Sequence, residues 1–492
     1  MERKPKLRNY ISYGVGDFLG GGSLAVIGMF FLIYMSTVVG MNPFYAGLIY
    51  AIGRIWDGFS DPIMGFITDR TRSRFGRRRL FFLLAFFPVG LFFMLIWFPV
   101  NIESQLFLFL WYTFVFLGFN TTYTVLMVPY TALNAEISLD LKVRAVFSGF
   151  KQYSSGFSAA VCSISAPMIL DHFSHDLQTG YMIMGIAYGL LFSLPWIAVF
   201  FGTWEVPRKL EEVQEQSFRD IIKNFYSVFK NRSFRTHLGM YIFGFAGMDM
   251  VMNLLLFFAT YYMMMSYAIY TNMMIAFVIA QAISMPIYIK IGNVYGQGRA
   301  YLTGAVIWII GLGIAATFTP ESSLYYVYLG TAVIGSGMCG VTVMPWVILP
   351  NVTDVDEMIT THKRAGTYSG MMTLLRKIVS ALTMLFVGAM LNLIGFDGAL
   401  DVQGADTQTG LRYLFFIMPA IVVFIGLIFS LNFKINTHKH QLLMKEIQRL
   451  ESGGSKEDVD EETCFVCEEL SGIKYEDLYK PLLNSSEKDK KV

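Results

Sequence analysis

Asp57 and Asp61 stand four residues apart in "GRIWDGFSDPIMGFITDRTRSRFGRRR" (Gly53–Arg79), with Arg54 a turn earlier on nearly the same helical face. Apolar runs flank the segment, so these charges sit where charged groups are scarce. An ionised carboxylate inside a bilayer costs a few kcal/mol or more, and such residues normally face a polar interior. Two like charges in one low-dielectric site repel and thereby raise the affinity for a cation, whether a proton or a metal ion such as sodium. Asp57 and Asp61 are therefore candidate cation ligands. The alternative is a purely structural pair, neutralised by Arg54 and by lysines elsewhere. Few other polar residues interrupt the apolar runs: Asp17, Thr124, Lys151, Gln152, Asp249, Asn253, Trp346, Arg376 and Lys377. Thr124 could instead bond its own helix backbone, and Lys151 or Arg376 could snorkel to an interface. Lys377 lies about eleven residues inside its apolar run and needs an anion, for which Asp17, Asp57 or Asp61 is the natural partner.

The elements that must position these groups are membrane helices. The 492-residue chain is 54% hydrophobic and 16% aromatic with 15% charged residues, and its mean hydropathy is +0.50. A soluble chain of this length would not have that composition. A hydrocarbon layer about 30 Å thick needs about 20 apolar residues per helix. Runs of that length are predicted near 10–37, 44–68, 80–99, 105–134, 145–170 and 180–202, then 236–264, 272–290, 300–318, 323–350, 366–395 and 410–433. The first follows a basic start (Arg3, Lys4, Lys6, Arg8) without a small-residue cleavage site, so it reads as a span and no signal peptide is evident.

Twelve predicted spans fall into two sets of six: a first bundle over 1–202 and a second over 236–434, joined by a charged loop at 203–235 and followed by a tail at 435–492. Lysine and arginine crowd the loops of one side, including the Arg70–Arg79 cluster, Lys142 with Arg144, Arg299, and Lys363 with Arg364. The loops near 38–43, 100–104, 171–179, 265–271, 319–322 and 396–409 hold neither residue. This bias places both termini in the cytoplasm. The halves echo each other faintly, "FFLIYM" (Phe30–Met35) against "FFATYYM" (Phe257–Met263), and the loop after the second span against "GNVYGQGR" (Gly292–Arg299). Two six-helix repeats around a central loop form the plan of major facilitator transporters, whose site lies between the halves near the bilayer midplane. The expected fold class is an all-α membrane protein of that fold.

"GDF" at Gly16, "RIWDGFSDPIMGFITDRTRSRFGRRR" from Arg54, "VPYTALNAEIS" from Val128, "DVDEMITTHKRAGTYSG" from Asp354 and "LLRKIVSALTMLFVGAMLNLIGF" from Leu374 together resemble the glycoside-pentoside-hexuronide:cation symporter family, the melibiose permease type. The resemblance covers roughly residues 8–435. It implies symport of a sugar or glycoside with sodium, lithium or a proton, no other cofactor, and a bacterial inner membrane as the location, the protein being a monomer. Carried over, it makes Asp57 and Asp61 the cation-site carboxylates with Thr124 a further oxygen ligand. Ser60 stands where sodium users often have asparagine. Lys377 matches the lysine that pairs with the cation site and reports its occupancy, and Asp17 the aspartate that binds sugar hydroxyls. Asp69, Arg70 and Arg77 resemble the facilitator loop that latches the cytoplasmic side; Arg54 joins them as a coupling group.

The departures concern the substrate. Met127 replaces a sugar-binding aspartate, Thr131 a tryptophan, and Gln152 an arginine, with Lys151 beside it. Thr342 falls on a tryptophan position, and Trp346 is one turn away. The expected substrate contacts are Asp17, Lys151, Gln152, Asp249, Trp346 and Lys377. A galactoside site is not preserved, and the 29 methionines, with "MDMVMN" from Met248 and "YYMMM" from Tyr261 among them, offer adaptable apolar surface. Packing accounts for such methionines equally well. An amphiphile such as a lysolipid is the alternative substrate, and a transporter-like sensor the alternative role. The tail is charged, helical through "HKHQLLMKEIQRL" and disordered in part, and its Cys464 and Cys467 form one isolated CxxC. No phosphate-binding glycine loop with its lysine and no metal-spaced histidine cluster supports an enzyme, and no partner beyond substrate, cation and lipid is implied, nucleic acid included.

Overall fold

The computed structural model describes residues 5–138, 140–205 and 226–479. Twelve long helical segments run through them: α1 (Leu7–Thr37), α2 (Pro43–Arg70), α3 (Arg79–Ile96), α4 (Gln105–Glu136), α5 (Leu141–His172) and α6 (Leu177–Gly202), then α7 (Arg232–Tyr262), α8 (Tyr267–Tyr295), α9 (Gln297–Ala315), α10 (Leu324–Thr360), α11 (Ala365–Leu393) and α12 (Ala405–Leu431). Eleven are long and apolar enough to cross a membrane. The other is α2, whose hydropathy is broken by Arg54, Asp57 and Asp61. Most of the central segment expected at 203–235 (206–225) lies outside the described residues.

Local chemistry sets the ends. Asn42 accepts the Phe44 N–H at 2.9 Å and Pro43 opens α2, while Asp140, Asp176, Asn231 and Ser266 cap α5 to α8 in the same way. The helices outrun their sequence-based limits mainly at polar ends. α10 continues ten residues past its expected stop, through Thr360, because Asp356 there is neutralised by Arg364 at 2.5 Å. Interior prolines mark the repeat: Pro62 and Pro286 each stand nineteen residues after the first residue of α2 and of its counterpart α8.

Helix α1 is broken by a 3-10 turn over Val15–Asp17 and a π turn over Leu19–Ser23. The glycines there permit close packing: a Cβ on Gly21 would lie 2.0 Å from the Ser155 carbonyl oxygen of α5. The two halves meet chiefly through α2 against α11, α5 against α8, and α1 against α7. Close glycine-mediated backbone approaches between them lie toward the loops without lysine or arginine. A Cβ on Gly388 would come 2.4 Å from the Pro43 carbonyl, one on Gly47 2.8 Å from that of Met384, and one on Gly398 1.8 Å from that of Ser36. Among the described residues, ion pairs at the basic end include Arg77–Glu136 and Arg78–Asp69 within the first half and Arg364–Asp356 within the second.

The tail helix expected through "HKHQLLMKEIQRL" is present, and the stretch beyond it, expected to be disordered in part, is folded as well. Residues 437–479 fold, with α13 (Thr437–Glu451) and α14 (Glu461–Ser471) packed on the basic end of the second half. Leu443, Ile447 and Leu450 form a buried stripe against Val466, Cys467, Leu470 and Leu478. Ser233 of α7 donates to the Leu470 carbonyl at 2.7 Å, and His440 lies 2.8 Å from Asp354 of α10. A low overall aliphatic content concealed the second helix and the packing between the two. Residues 480–492 lie outside the described residues.

Candidate functional site

Helix α2 places Tyr50, Arg54, Asp57 and Asp61 on one stripe facing α11. Asp57 is the interior member, its side chain 1% exposed; Arg54 Nη1 reaches its Oδ2 at 3.3 Å, and its Oδ1 is buried without a partner. Asp61 is more open, 36% exposed. Lys377 of α11 crosses from the other half to pair with Asp61 Oδ2, and its Nζ is 3.8 Å from Asp57 Oδ2. Thr124 donates to Asp61 Oδ1 at 2.8 Å and sits 3.3 Å from the Ser60 hydroxyl. Its neighbours Thr121 and Thr122 bond the carbonyls of their own helix, at Leu117 and Gly118. Two carboxylates, two hydroxyls and an ammonium therefore form one cluster, and the orphaned Asp57 oxygen in it is a free acceptor of the kind a cation takes.

The expected substrate residues are spread over a wider area. Asp17 is buried at the break in α1, its Oδ1 occupying the space a Cβ on Gly20 would fill, with the Met127 methyl 3.2 Å from the same point. The charge of Lys151 acts on Asp17, and its ammonium stands 5.2 Å from the Tyr130 ring centre. Gln152 is exposed, one position further round α5. Trp346 is 44% exposed and meets Tyr241 edge-on at 5.6 Å, whereas Thr342 bonds the Met338 carbonyl of its own helix at 2.9 Å.

Asp249, expected as a substrate contact, is already engaged. Arg376 grips it through two bonds, of 2.6 and 2.7 Å, and stacks over Phe245 at 4.8 Å. This also corrects the snorkelling reading of Arg376: a bidentate carboxylate inside the bundle neutralises the guanidinium where it stands. Nothing in the sequence signals a pair 127 positions apart. In the loop of the expected latch, Arg78 holds Asp69 (2.7 Å), Arg77 and Arg78 share Glu136, and Glu205 accepts the backbone N–H groups of Arg77, Arg78 and Arg79. Arg70 lies over the Phe66 ring at 3.6 Å. Glu136 and Glu205 went unread in the sequence because each is a lone acid at a helix end.

Burial in the tail pushes the Cys467 thiol up to about 12 and raises that of Cys464, so the CxxC holds two packed, protonated thiols. Among the described residues no cluster of three His, Cys, Asp or Glu side chains suited to a metal occurs.

The family model for MFS/sugar transport proteins matches residues 12–437. The chain belongs to that family. A putative sulfoquinovose importer of Salmonella typhimurium is 24% identical over 92% of this chain and 95% of its own. A sodium-dependent lysophosphatidylcholine symporter of Danio rerio is 22% identical over 88% of this chain and 86% of its own. The crystal structure of the nucleoside transporter NupG superposes with a TM-score of 0.61 at 13% identity, covering 87% of this chain and 99% of that one. The likeness fixes the fold as that of the major facilitators. The protein is a multi-pass membrane transporter, not an enzyme.

Proposed function

We propose that this transporter is a symporter in which a monovalent cation, sodium, lithium or a proton, binds at Asp57 and Asp61 with Ser60 and Thr124, and drives uptake of a sugar or glycoside by alternating access. One observation carries the reading: Lys377 of one half occupies the carboxylates of the other, beside an unpartnered Asp57 oxygen. An empty pair of carboxylates would oppose passage across a dry barrier; Lys377 neutralises it for the return of the unloaded carrier, and a cation replaces the lysine in the loaded one. Coupling is reciprocal, so cation and substrate each raise the affinity for the other by one factor. With the basic loops placed in the cytoplasm, the halves are joined at their outer end, as in an inward-facing carrier.

Asp17, Lys151 and Trp346 are the proposed substrate contacts, with Gln152 at their edge. Once a cation holds Asp57 and Asp61, Lys377 is left beside Arg376 without its partner, a charge count that favours a sugar bearing an anionic group. A second reading, an amphiphile such as a lysolipid, is supported by Met127 at Gly20 and by the exposed Trp346, which make the cleft more apolar. Thermal stability against sulfonated sugars, neutral glycosides and lysolipids, each with sodium, lithium or neither at two pH values, tests both. A sugar shift that grows with one cation and vanishes in Asp57→Asn supports the proposal. A cation-dependent shift with lysolipid alone selects the second reading, and the absence of any cation effect overturns symport.

A further inference from the structure

Gly47, Tyr50, Arg54, Asp57 and Asp61 recur along α2 at intervals of three and four residues, as do Lys377, Ser380, Met384 and Gly388 along α11. The two stripes run antiparallel as one seam between the halves. At its inner end lie the carboxylates and Lys377; at its outer end the backbones touch at Gly47 and Gly388. Tyr50 stands between these ends. Its hydroxyl receives a bond from Arg54 Nη2 at 2.8 Å and is 2.8 Å from the Ser380 hydroxyl across the interface. A guanidinium can only donate, so the Tyr50 oxygen accepts from Arg54, while the Tyr50 and Ser380 hydroxyls share a bond that either can donate. Arg54 is held in turn by Asp57, and its Nε is buried without a partner.

We propose that Tyr50 is a positioning residue that transmits occupancy of the Asp57/Asp61 site to the outer end of the α2–α11 seam, through Arg54 on one side and Ser380 on the other. This rests on the cation site proposed above. A cation on Asp57 competes with Arg54 for the carboxylate. Once released, Arg54 no longer holds the Tyr50 hydroxyl in place against Ser380, and the bond across the interface weakens. Cation binding therefore loosens the outer contact without touching it.

Hydrogen exchange of residues 43–50 and 380–393 in the lipid-reconstituted protein, with and without each cation, measures this, alongside thermal stability of the same samples. In wild type, saturating cation should raise exchange in both segments by about fivefold, the equivalent of one lost hydrogen bond. Tyr50→Phe should exchange at the cation-bound rate from the start and show no further rise, while keeping its cation-dependent thermal shift. Ser380→Ala removes the same bond from the other side and should behave alike. Asn392→Ala, which breaks the outer contact to Asn42 (2.6 Å) away from the relay, should raise exchange yet retain the cation response. The proposal is overturned if Tyr50→Phe and Ser380→Ala respond to cation as wild type does, or if both lose the thermal shift and so belong to the site itself. A wild type with no cation-dependent shift overturns the symport reading, and the relay with it.

Discussion

Asp57 and Asp61 are not equivalent. The buried Asp57 has one oxygen free of any partner, whereas Asp61 faces the cleft and carries Thr124 and Lys377. In the proposed symport Lys377 competes with the cation for these oxygens, so Lys377→Met should tighten cation binding by about tenfold or more, given the effect of a neighbouring charge on a carboxylate. The same variant should fail to accumulate substrate, because its unloaded carrier keeps an uncompensated charge. Cation titration followed by thermal stability, together with vesicle uptake, checks both. Arg376 and Asp249 provide a contrast. Asp249→Asn strands a guanidinium inside the bundle and should cost about 3 kcal/mol, while adding Arg376→Met should recover most of that, as chemical denaturation of the pair of variants would show. This bond lies within one half, so neither change should alter the cation dependence of the thermal shift.

At the level of elements, the α2–α11 contact depends on two glycines. Gly388→Val would drive its side chain into the Pro43 carbonyl, favouring separation of the outer ends; exchange of residues 43–50 should rise with or without cation. The tail helices form a second element of their own. Leu443 is wholly buried in their packing, and Leu443→Ala should cost about 2 to 5 kcal/mol of the tail's local stability, read as faster exchange over 437–479 with the transmembrane spans unaffected. The raised thiols predict that Cys467 resists maleimide at pH 8 in the folded protein, since the thiolate forms only toward pH 12, and reacts after Leu443→Ala opens the packing. Sequence alone conveyed the membrane helices well, because twenty-residue apolar runs are long signals, and it conveyed the α2 stripe because residues three and four apart need no tertiary information. The tail was legible only in part: its first helix, carrying Leu443, Ile447 and Leu450, is expected from the sequence, whereas α14 with Val466, Cys467 and Leu470 vanishes in an average over charged neighbours.

Across the whole molecule, what a sequence cannot reveal is which distant residue meets which. Lys377 was matched to the aspartates by elimination, since a lysine deep in a span needs an anion; Arg376 had no such forced partner, and Tyr50 and Ser380 carry no charge to draw attention. Registration of two helices 330 positions apart fixed the Tyr50–Ser380 bond. The same registration gives the cleft its charge balance: Asp17, Asp57 and Asp61 exceed Arg54 and Lys151 by one in the first half, and Arg376 and Lys377 exceed Asp249 by one in the second. The halves are complementary when empty, and in the proposed symport a bound cation would upset that balance in favour of substrate. Charge displacement on a rapid sodium, lithium or pH jump, recorded from proteoliposomes on a solid-supported membrane without any substrate, tests this directly. A transient that saturates with one cation in wild type and is absent in Asp57→Asn is the predicted result; no transient with any of the three, or an undiminished one in Asp57→Asn, would contradict cation binding at this site.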